Sequence, residues 1–250
     1  MHDRRLIVGV VIGLAALWYW QAQKPAEQPA KKKAEPTRPA PKPEPEPKPK
    51  RPGPWGDCGA SVEAKVAGPI APDGTTIHVD LPGDQHCHNV SSRGEGCCTQ
   101  TSVNHSARWQ NVPALINFHK WVQEKGLPGG GHPGRMAERI PACAKDRGYP
   151  TPDFVQVENC RDFEVLKLAC RSGRMPAVTY SKSPTGRYNG GRISHMVSMP
   201  HCDDKWIAIL DNNYPGADKY EWMSPDEARS AGVLNWIVVL LSPPPPPPPK

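Results

Sequence analysis

Residues 94–103 read GEGCCTQTSV and place two adjacent cysteines, Cys97 and Cys98, between a glycine turn and the start of a helical pattern. One thiol would be enough for packing, so the pair calls for a further explanation. Either the thiols are structural, in a disulfide or a metal site, or one of them is a nucleophile. Each explanation requires particular partner residues elsewhere in the chain.

Downstream of this pair the pattern is helical first and strand-like second. Helical spacing continues into PALINFHKWVQEKG at residues 113–126, and RDFEVLKLACRS at residues 161–172 is an amphipathic helix pattern. Short β-rich runs follow, namely MPAVTY, RISHMVSM, KWIAILD and LNWIVVLL. One earlier strand is predicted in TTIHVDL at residues 75–81. Helices followed by strands are typical of the α+β class.

Cys98 has the surroundings that a thiolate nucleophile needs. It lies where loop becomes helix, so the helix dipole and the backbone N–H groups of the first turn point at it. His195 lies inside a predicted strand, and Asp211 and Asn212 end the next one. Because neighbouring antiparallel strands bring such positions together, Asn212 is expected to orient the imidazole, with Asp211 as the alternative.

This order of residues resembles the papain-like cysteine peptidase superfamily. CTQTSV, beginning at Cys98, is similar to the family's Cys-x-x-x-Ser opening of the central helix. ILDNNYPG is similar to its strand-Asn-x-aromatic segment, with Tyr214 in the place of a tryptophan. CTQTSVNHSARWQN, GRMPAVTYS and DDKWIAILDNNYPGADKYEWMSP also resemble a divergent bacterial, membrane-anchored branch. The resemblance covers residues 85–240 and favours Cys98 over Cys97 as the nucleophile.

The resemblance implies a fold and an activity. The fold is α+β, with a helical subdomain carrying Cys98 followed by an antiparallel β subdomain carrying His195 and Asn212. The activity is that of a cysteine-type peptidase, which hydrolyses peptide or amide bonds of a peptide or protein substrate through an acyl-enzyme. No cofactor and no metal are expected.

Two features depart from the family pattern. The separation from Cys98 to His195 is 97 residues, shorter than the roughly 130–150 residues of papain-type enzymes. The family's oxyanion glutamine is missing six residues before the nucleophile, where Ser92 stands. Asn89 and Gln85, in the preceding loop, are the candidates for that role.

Other functions stay open on the sequence alone. One is a non-catalytic papain-like binding module on a proline-rich, envelope-spanning stalk, and another is an amine-transferring enzyme of the transglutaminase or transpeptidase kind. Residue types that bind zinc also occur, but the cysteines lack the usual spacing of two to four residues between paired ligands. These residues are His86, Cys87, His88, Cys97, Cys98, His201 and Cys202. A disulfide at Cys87 is favoured over zinc, since the chain has eight cysteines and an exported domain would fold under oxidising conditions.

The N-terminal region predicts export. Residues 6–20, LIVGVVIGLAALWYW, are uninterrupted apolar sequence after two arginines, so residues 1–23 are predicted to be a membrane anchor or a signal. Residues 24–54 hold eleven of the 32 prolines, interleaved with Lys and Glu. This composition predicts an extended linker that could hold the domain at residues 55–242 about 90 Å from the membrane, on the periplasmic or extracytoplasmic side. A polyproline tail, residues 243–250, ends the chain.

The charge distribution argues against nucleic-acid binding. The formal net charge is +6, of which residues 24–51 hold +5 and the residues before the apolar run hold +1. The globular part is therefore close to neutral and contains no basic face interleaved with aromatic residues. The expected partners are a peptide or protein substrate, the membrane, and a partner for the proline-rich segments.

Overall fold

The computed structural model describes residues 66–89, 96–131, 133–158, 160, 162–182, 188, 193–216, 220–230, 232 and 236–243, all of which belong to the unit Pro49–Lys250. The predicted anchor, the linker and the tail beyond residue 243 lie outside the described residues. Among the residues described, no helix is both long enough and apolar enough to cross a bilayer.

The described part of the chain forms one antiparallel sheet with helices around it. Its strands are β1 (Val66–Ala67), β2 (Phe154–Glu158), β3 (Ala177–Tyr180), β4 (His195–Cys202), β5 (Ile207–Leu210), β6 (Tyr220–Met223) and β7 (Trp236–Leu240). They lie in the order β1-β6-β5-β4-β3-β7-β2, and every neighbouring pair is antiparallel. The helices are α1 (Cys98–Trp109), α2 (Phe118–Glu124), α3 (Pro133–Asp146), α4 (Glu164–Arg171) and α5 (Pro225–Ser230). The predicted α+β class is confirmed.

Strand β4 lies at the centre of the sheet, and all eight of its residues are buried. Because side chains alternate between the faces of a strand, its apolar residues feed two separate cores. Met196 joins the cluster that contains Val103 of α1. Val197 joins the cluster that contains Leu166 of α4. The strand is therefore covered on both faces, and His195, its first residue, is held inside the protein.

Helix α1 is almost entirely buried, although its sequence is mostly polar. Its polar side chains are used to attach it to the sheet. Ser106 Oγ donates to the Met175 carbonyl at 2.6 Å, and Ser102 Oγ donates to the Met196 carbonyl at 3.1 Å. The two ring nitrogens of His105 pair with Ser198 Oγ at 3.0 Å and with the Cys87 N–H at 2.7 Å. Because buried polar groups need hydrogen-bond partners, these bonds fix the position of α1 against β4.

Several predicted elements are present and others were missed. The helix start at Cys98, the helix within residues 161–172 and the four late strands are all found. The strand predicted in TTIHVDL is wrong: this segment makes an isolated bridge from Thr76 to Ile70 and a single backbone bond from Val79 to Pro200. Strands β1, β2 and β6 and helices α3 and α5 were not predicted. Helix α3 contains Pro141, a residue that usually argues against a helix interior.

Candidate functional site

Cys98 opens into a cavity of about 320 Å³ at the N-terminal end of α1. The thiol residue is 9% exposed. The other residues that line the cavity are Asn89, Gly96, Gly130, Tyr188, Ile193, Ser194, His195 and Asn213. The walls come from the loop before α1, the glycine-rich loop after α2, the start of β4 and the turn after β5. The predicted nucleophile and the predicted base therefore share one concave site.

The Cys98 thiol and the His195 imidazole line the same cavity, and the interaction between them shifts the pKa of both groups. Burial on its own raises the pKa of the Cys98 thiol, but the hydrogen bond from His195 and the positive charge of that ring outweigh burial, so the pKa lies below its usual value. Burial likewise favours the neutral imidazole, but Asp211 and the thiolate reverse this and raise the pKa of His195 to about 10. The pair therefore favours thiolate and imidazolium at neutral pH.

Asp211 is the group that orients the His195 ring. Its Oδ1 lies 2.8 Å from Nε2 of His195, and the carboxylate is fully buried. Burial alone would raise the pKa of Asp211. The pKa nevertheless lies below its usual value, because the carboxylate is stabilised by the imidazolium charge and by hydrogen bonds from His195, Tyr188 and the Asn213 N–H. Since Nε2 faces Asp211, Nδ1 is the ring nitrogen that faces the thiol.

Asn212 does not occupy the place expected for it. Its Nδ2 donates to the Cys98 carbonyl at 3.2 Å, to Ser102 Oγ at 2.9 Å and to the Met196 carbonyl at 2.9 Å. Its Oδ1 has no hydrogen-bond partner among the described residues. Asn212 therefore ties α1 to β4, and the geometry gives the orienting position to Asp211, which was the secondary candidate. The two residues are consecutive, so their side chains leave the end of β5 in different directions.

The other sequence candidates are separated by the fold. Cys97 precedes α1 and is buried in the apolar cluster that contains Phe118, and it does not line the cavity. Asn89 lines the cavity and is 3% exposed. Gln85 ends a short 3-10 turn and is not among the residues that line the cavity. Of the two oxyanion candidates, the structure brings Asn89 to the thiol's cavity.

A glycine-rich loop forms one wall of the site. The Gly130 N–H donates to the Gly96 carbonyl, and the Gly130 carbonyl accepts from Gln100 Nε2 at 2.8 Å. Gly131 lies so close to α1 that a Cβ there would be 2.6 Å from Thr99 Oγ1. This approach of backbone to helix explains why the stretch that follows α2 contains consecutive glycines. No sequence pattern marked these glycines as part of the site, so this wall was missed.

Two other residues of the site were missed by sequence reasoning. Tyr188 Oη donates to Asp211 Oδ2 at 2.6 Å, and Asn213 Nδ2 donates to Tyr188 Oη at 3.0 Å. Asn213 follows the predicted Asp-Asn pair directly, and this adjacency could have indicated it. Tyr188 stands in a turn-forming stretch, SPTGRYNGG, in which nothing in the sequence distinguishes it as a partner of Asp211.

The disulfide and zinc interpretations find no support in the described residues. Cys87, Cys98, Cys143, Cys160, Cys170 and Cys202 are free thiols. Cys58 lies outside the described residues. Nowhere in the described ranges do three His, Cys, Asp or Glu side chains come together as a metal site would require. The ring of His86 instead contacts the carbonyls of Gly216 and Leu81, at 2.7 and 2.8 Å.

Comparisons with known proteins add little to this geometry. No family model matches the chain, and no curated protein matches it. Among solved structures, it is similar to a Bacillus anthracis protein provisionally named a C39-like peptidase, with 11% identity and a TM-score of 0.36. The match covers 60% of this chain and 90% of the other. A similarity this weak assigns neither a fold family nor an activity to this chain.

Proposed function

We propose that the chain is a cysteine-dependent peptidase of papain-like arrangement, with Cys98 as nucleophile, His195 as base and acid, and Asp211 as the orienting group. The observation that carries the proposal is the continuous line from the Cys98 thiol through His195 to the buried Asp211 carboxylate, inside an open cavity at a helix N-terminus. Charge, orientation and access are the three requirements of a thiolate nucleophile.

The first half of the reaction forms an acyl-enzyme. The Cys98 thiolate attacks the carbonyl carbon of a peptide bond, and the carbonyl oxygen becomes an oxyanion. The backbone N–H of Cys98, in the first turn of α1, and the Asn89 side-chain amide are the donors proposed for that oxyanion. When the C–N bond breaks, the His195 imidazolium gives its proton to the leaving amine.

The second half releases the product. Neutral His195 takes a proton from water, the resulting hydroxide attacks the thioester, and the carboxylic acid leaves as the Cys98 thiolate and the His195 imidazolium are restored. Asp211 stays ionised throughout and stabilises the imidazolium. An amine in place of water would give transfer in place of hydrolysis, by the same steps.

The arrangement also supports the subdomain division implied by the papain resemblance. Helices α1 to α3 precede most of the sheet and carry the thiol, whereas β4 and the turn after β5 carry the base and its orienting carboxylate. We propose that residues 1–23 anchor this domain to a membrane and that it acts on the exported side. The apolar run and its arginine flank support that placement.

The test is digestion of a peptide library by the full chain in mild detergent, with new N-termini identified by mass spectrometry. The wild-type chain and Cys97→Ser should cleave the library, whereas Cys98→Ser should not. Cys97 is the matched control, because it is the adjacent residue of the same type and lies outside the cavity. Cleavage by Cys98→Ser would refute the assignment, and absence of cleavage by every variant would favour the non-catalytic binding module.

A further inference from the structure

A line of hydrogen bonds joins the Asp211 carboxylate to Asn89 through two side chains that the reaction scheme does not use. Tyr188 Oη donates to Asp211 Oδ2 at 2.6 Å, and Asn213 Nδ2 donates to Tyr188 Oη at 3.0 Å. Asn89 Nδ2 in turn donates to Asn213 Oδ1 at 3.0 Å. Tyr188, Asn213 and Asn89 all line the cavity that holds Cys98.

The charge on Asp211 sets the direction of every bond in this line. An ionised carboxylate can only accept, so the single hydroxyl proton of Tyr188 is committed to Asp211. The hydroxyl oxygen then accepts from Asn213, which requires Nδ2 of that residue to face Tyr188. Asn213 Oδ1 is left to face Asn89, and Asn89 must present its NH2 group rather than its carbonyl oxygen.

The position of the Asn89 side chain and the orientation of its amide group are determined by different contacts. The Asn89 backbone N–H donates to the Asn212 carbonyl at 2.7 Å. The amide lies against Gly96, where a Cβ would be 3.0 Å from Nδ2 and 3.3 Å from Oδ1. Packing alone does not choose between the two amide orientations, because they have nearly the same shape. The choice matters, since an amide carbonyl at this position would repel an oxyanion that an amide NH2 would stabilise.

We propose that Tyr188 is a positioning residue that transmits the ionised state of Asp211, through Asn213, to the orientation of the Asn89 amide, so that Asn89 presents a donor to the oxyanion. Asn89 uses one N–H on Asn213, and the second N–H of the same NH2 group is the oxyanion donor. The inference rests on the proposed peptidase function and adds the device that orients its oxyanion donor.

The test compares a reaction that creates an oxyanion with one that does not. Acetyl-Ala-alaninal, an uncharged peptide aldehyde, adds reversibly to Cys98: the S–C bond forms, the carbonyl π bond becomes an oxyanion, and the His195 imidazolium balances its charge. The aldehyde's affinity for the full chain is measured by protection of Cys98 from iodoacetamide at pH 7. The alkylation rate without aldehyde reports the thiolate alone.

Tyr188→Phe should weaken aldehyde affinity about 10-fold, and Asn89→Ala about 100-fold, as expected for loss of an oxyanion donor. Both variants should keep an alkylation rate within about 2-fold of wild type, which shows that the fold and the ion pair survive. Tyr214→Phe is the matched control, because this ring packs against Tyr188 with centroids 5.8 Å apart and lies outside the cavity. Its aldehyde affinity should equal that of the wild type.

The double variant separates transmission through Asn89 from a general structural effect. If Tyr188 acts through Asn89, adding Tyr188→Phe to Asn89→Ala should cause no further loss of aldehyde affinity. A further 10-fold loss, or an unchanged affinity in the single Tyr188→Phe variant, would overturn the inference while leaving the peptidase proposal in place. Failure of the aldehyde to protect Cys98 in the wild-type chain would overturn both.

Discussion

Replacing Asp211 by Asn removes the negative charge that holds His195 in its protonated form and leaves the shape of the side chain unchanged. The charge lies 2.8 Å from Nε2, where an effective dielectric constant of about 20 gives an interaction of about 6 kcal/mol as an upper value. Ion pairs of this kind usually shift a pKa by about 1–3 units. We expect the pKa of His195, about 10 in the native chain, to fall by that amount.

The lower pKa of His195 should change the balance between the thiolate–imidazolium pair and the neutral pair. In the native chain His195 holds its proton more tightly than Cys98 does, so the ion pair dominates at neutral pH. A loss of about 1–3 units narrows the difference between the two pKa values and so lowers the population of the ion pair. The thiolate fraction at pH 7, and with it the alkylation rate of Cys98, should fall about 2- to 100-fold.

The assay is alkylation of the full chain by substoichiometric iodoacetamide at pH 7, with the modified cysteine mapped by mass spectrometry. Asp203→Asn is the matched control, because Asp203 lies 3.1 Å from Nε2 of another buried histidine, His201 at the far end of β4. Its alkylation rate at Cys98 should be unchanged. If folded Asp211→Asn is alkylated at Cys98 as fast as the native chain, Asp211 does not maintain the ion pair and the assigned triad is wrong.

Three further predictions concern the site and the fold. His195→Ala should slow alkylation of Cys98 at pH 7 about 100-fold, because burial then raises the pKa of the thiol and the largest interactions that opposed it are lost. The buried ring of His105 stays neutral, since burial lowers its pKa to about 3, so the native state binds fewer protons than the unfolded state below about pH 6.5. The free energy of unfolding should therefore fall as the pH decreases from 6.5 to 4. His105→Gln should reduce the pH dependence of this free energy, measured by urea titration, by about 1.4 kcal/mol per pH unit. An equal pH dependence in the variant would mean that His105 protonates in the folded chain. Gly131→Ala should lower the free energy of unfolding by about 1–3 kcal/mol because its Cβ would contact Thr99, and an unchanged urea midpoint would show that the loop moves aside without cost.

The sequence predicted the elements whose local signals agree with their environment. The four late strands are rich in β-branched or apolar residues, and Cys98 begins a helix directly after a glycine-rich loop. Strand β6, with the sequence YEWM, was missed because it contains a buried glutamate, Glu221, in a run too short to show alternation. Helix α3 was missed because Pro141 and a preceding glycine-rich stretch hide a helix that tertiary packing stabilises.

The choice between Asp211 and Asn212 could not be made from the sequence because it depends on strand register. The pairing of β4 with β5 shifts in register between Ser198 and His201, so the register near His195 differs from that at the other end of the two strands. A shift of one residue reverses which side chains share a face. Sequence spacing placed His195 near the end of β5, but the strand register decides which of the two adjacent polar residues reaches it.

The attachment of α1 to the sheet has a consequence for when the thiol becomes reactive. The helix has few apolar residues, so it gains little from hydrophobic collapse. It depends on hydrogen bonds to β4 and to Met175, just before β3, and these residues are synthesised later. Cys98 therefore has no activating imidazole and no stable helix dipole until the C-terminal half has folded. A chain still emerging from the ribosome would have only ordinary thiols, and its nucleophile would appear at the last step of folding.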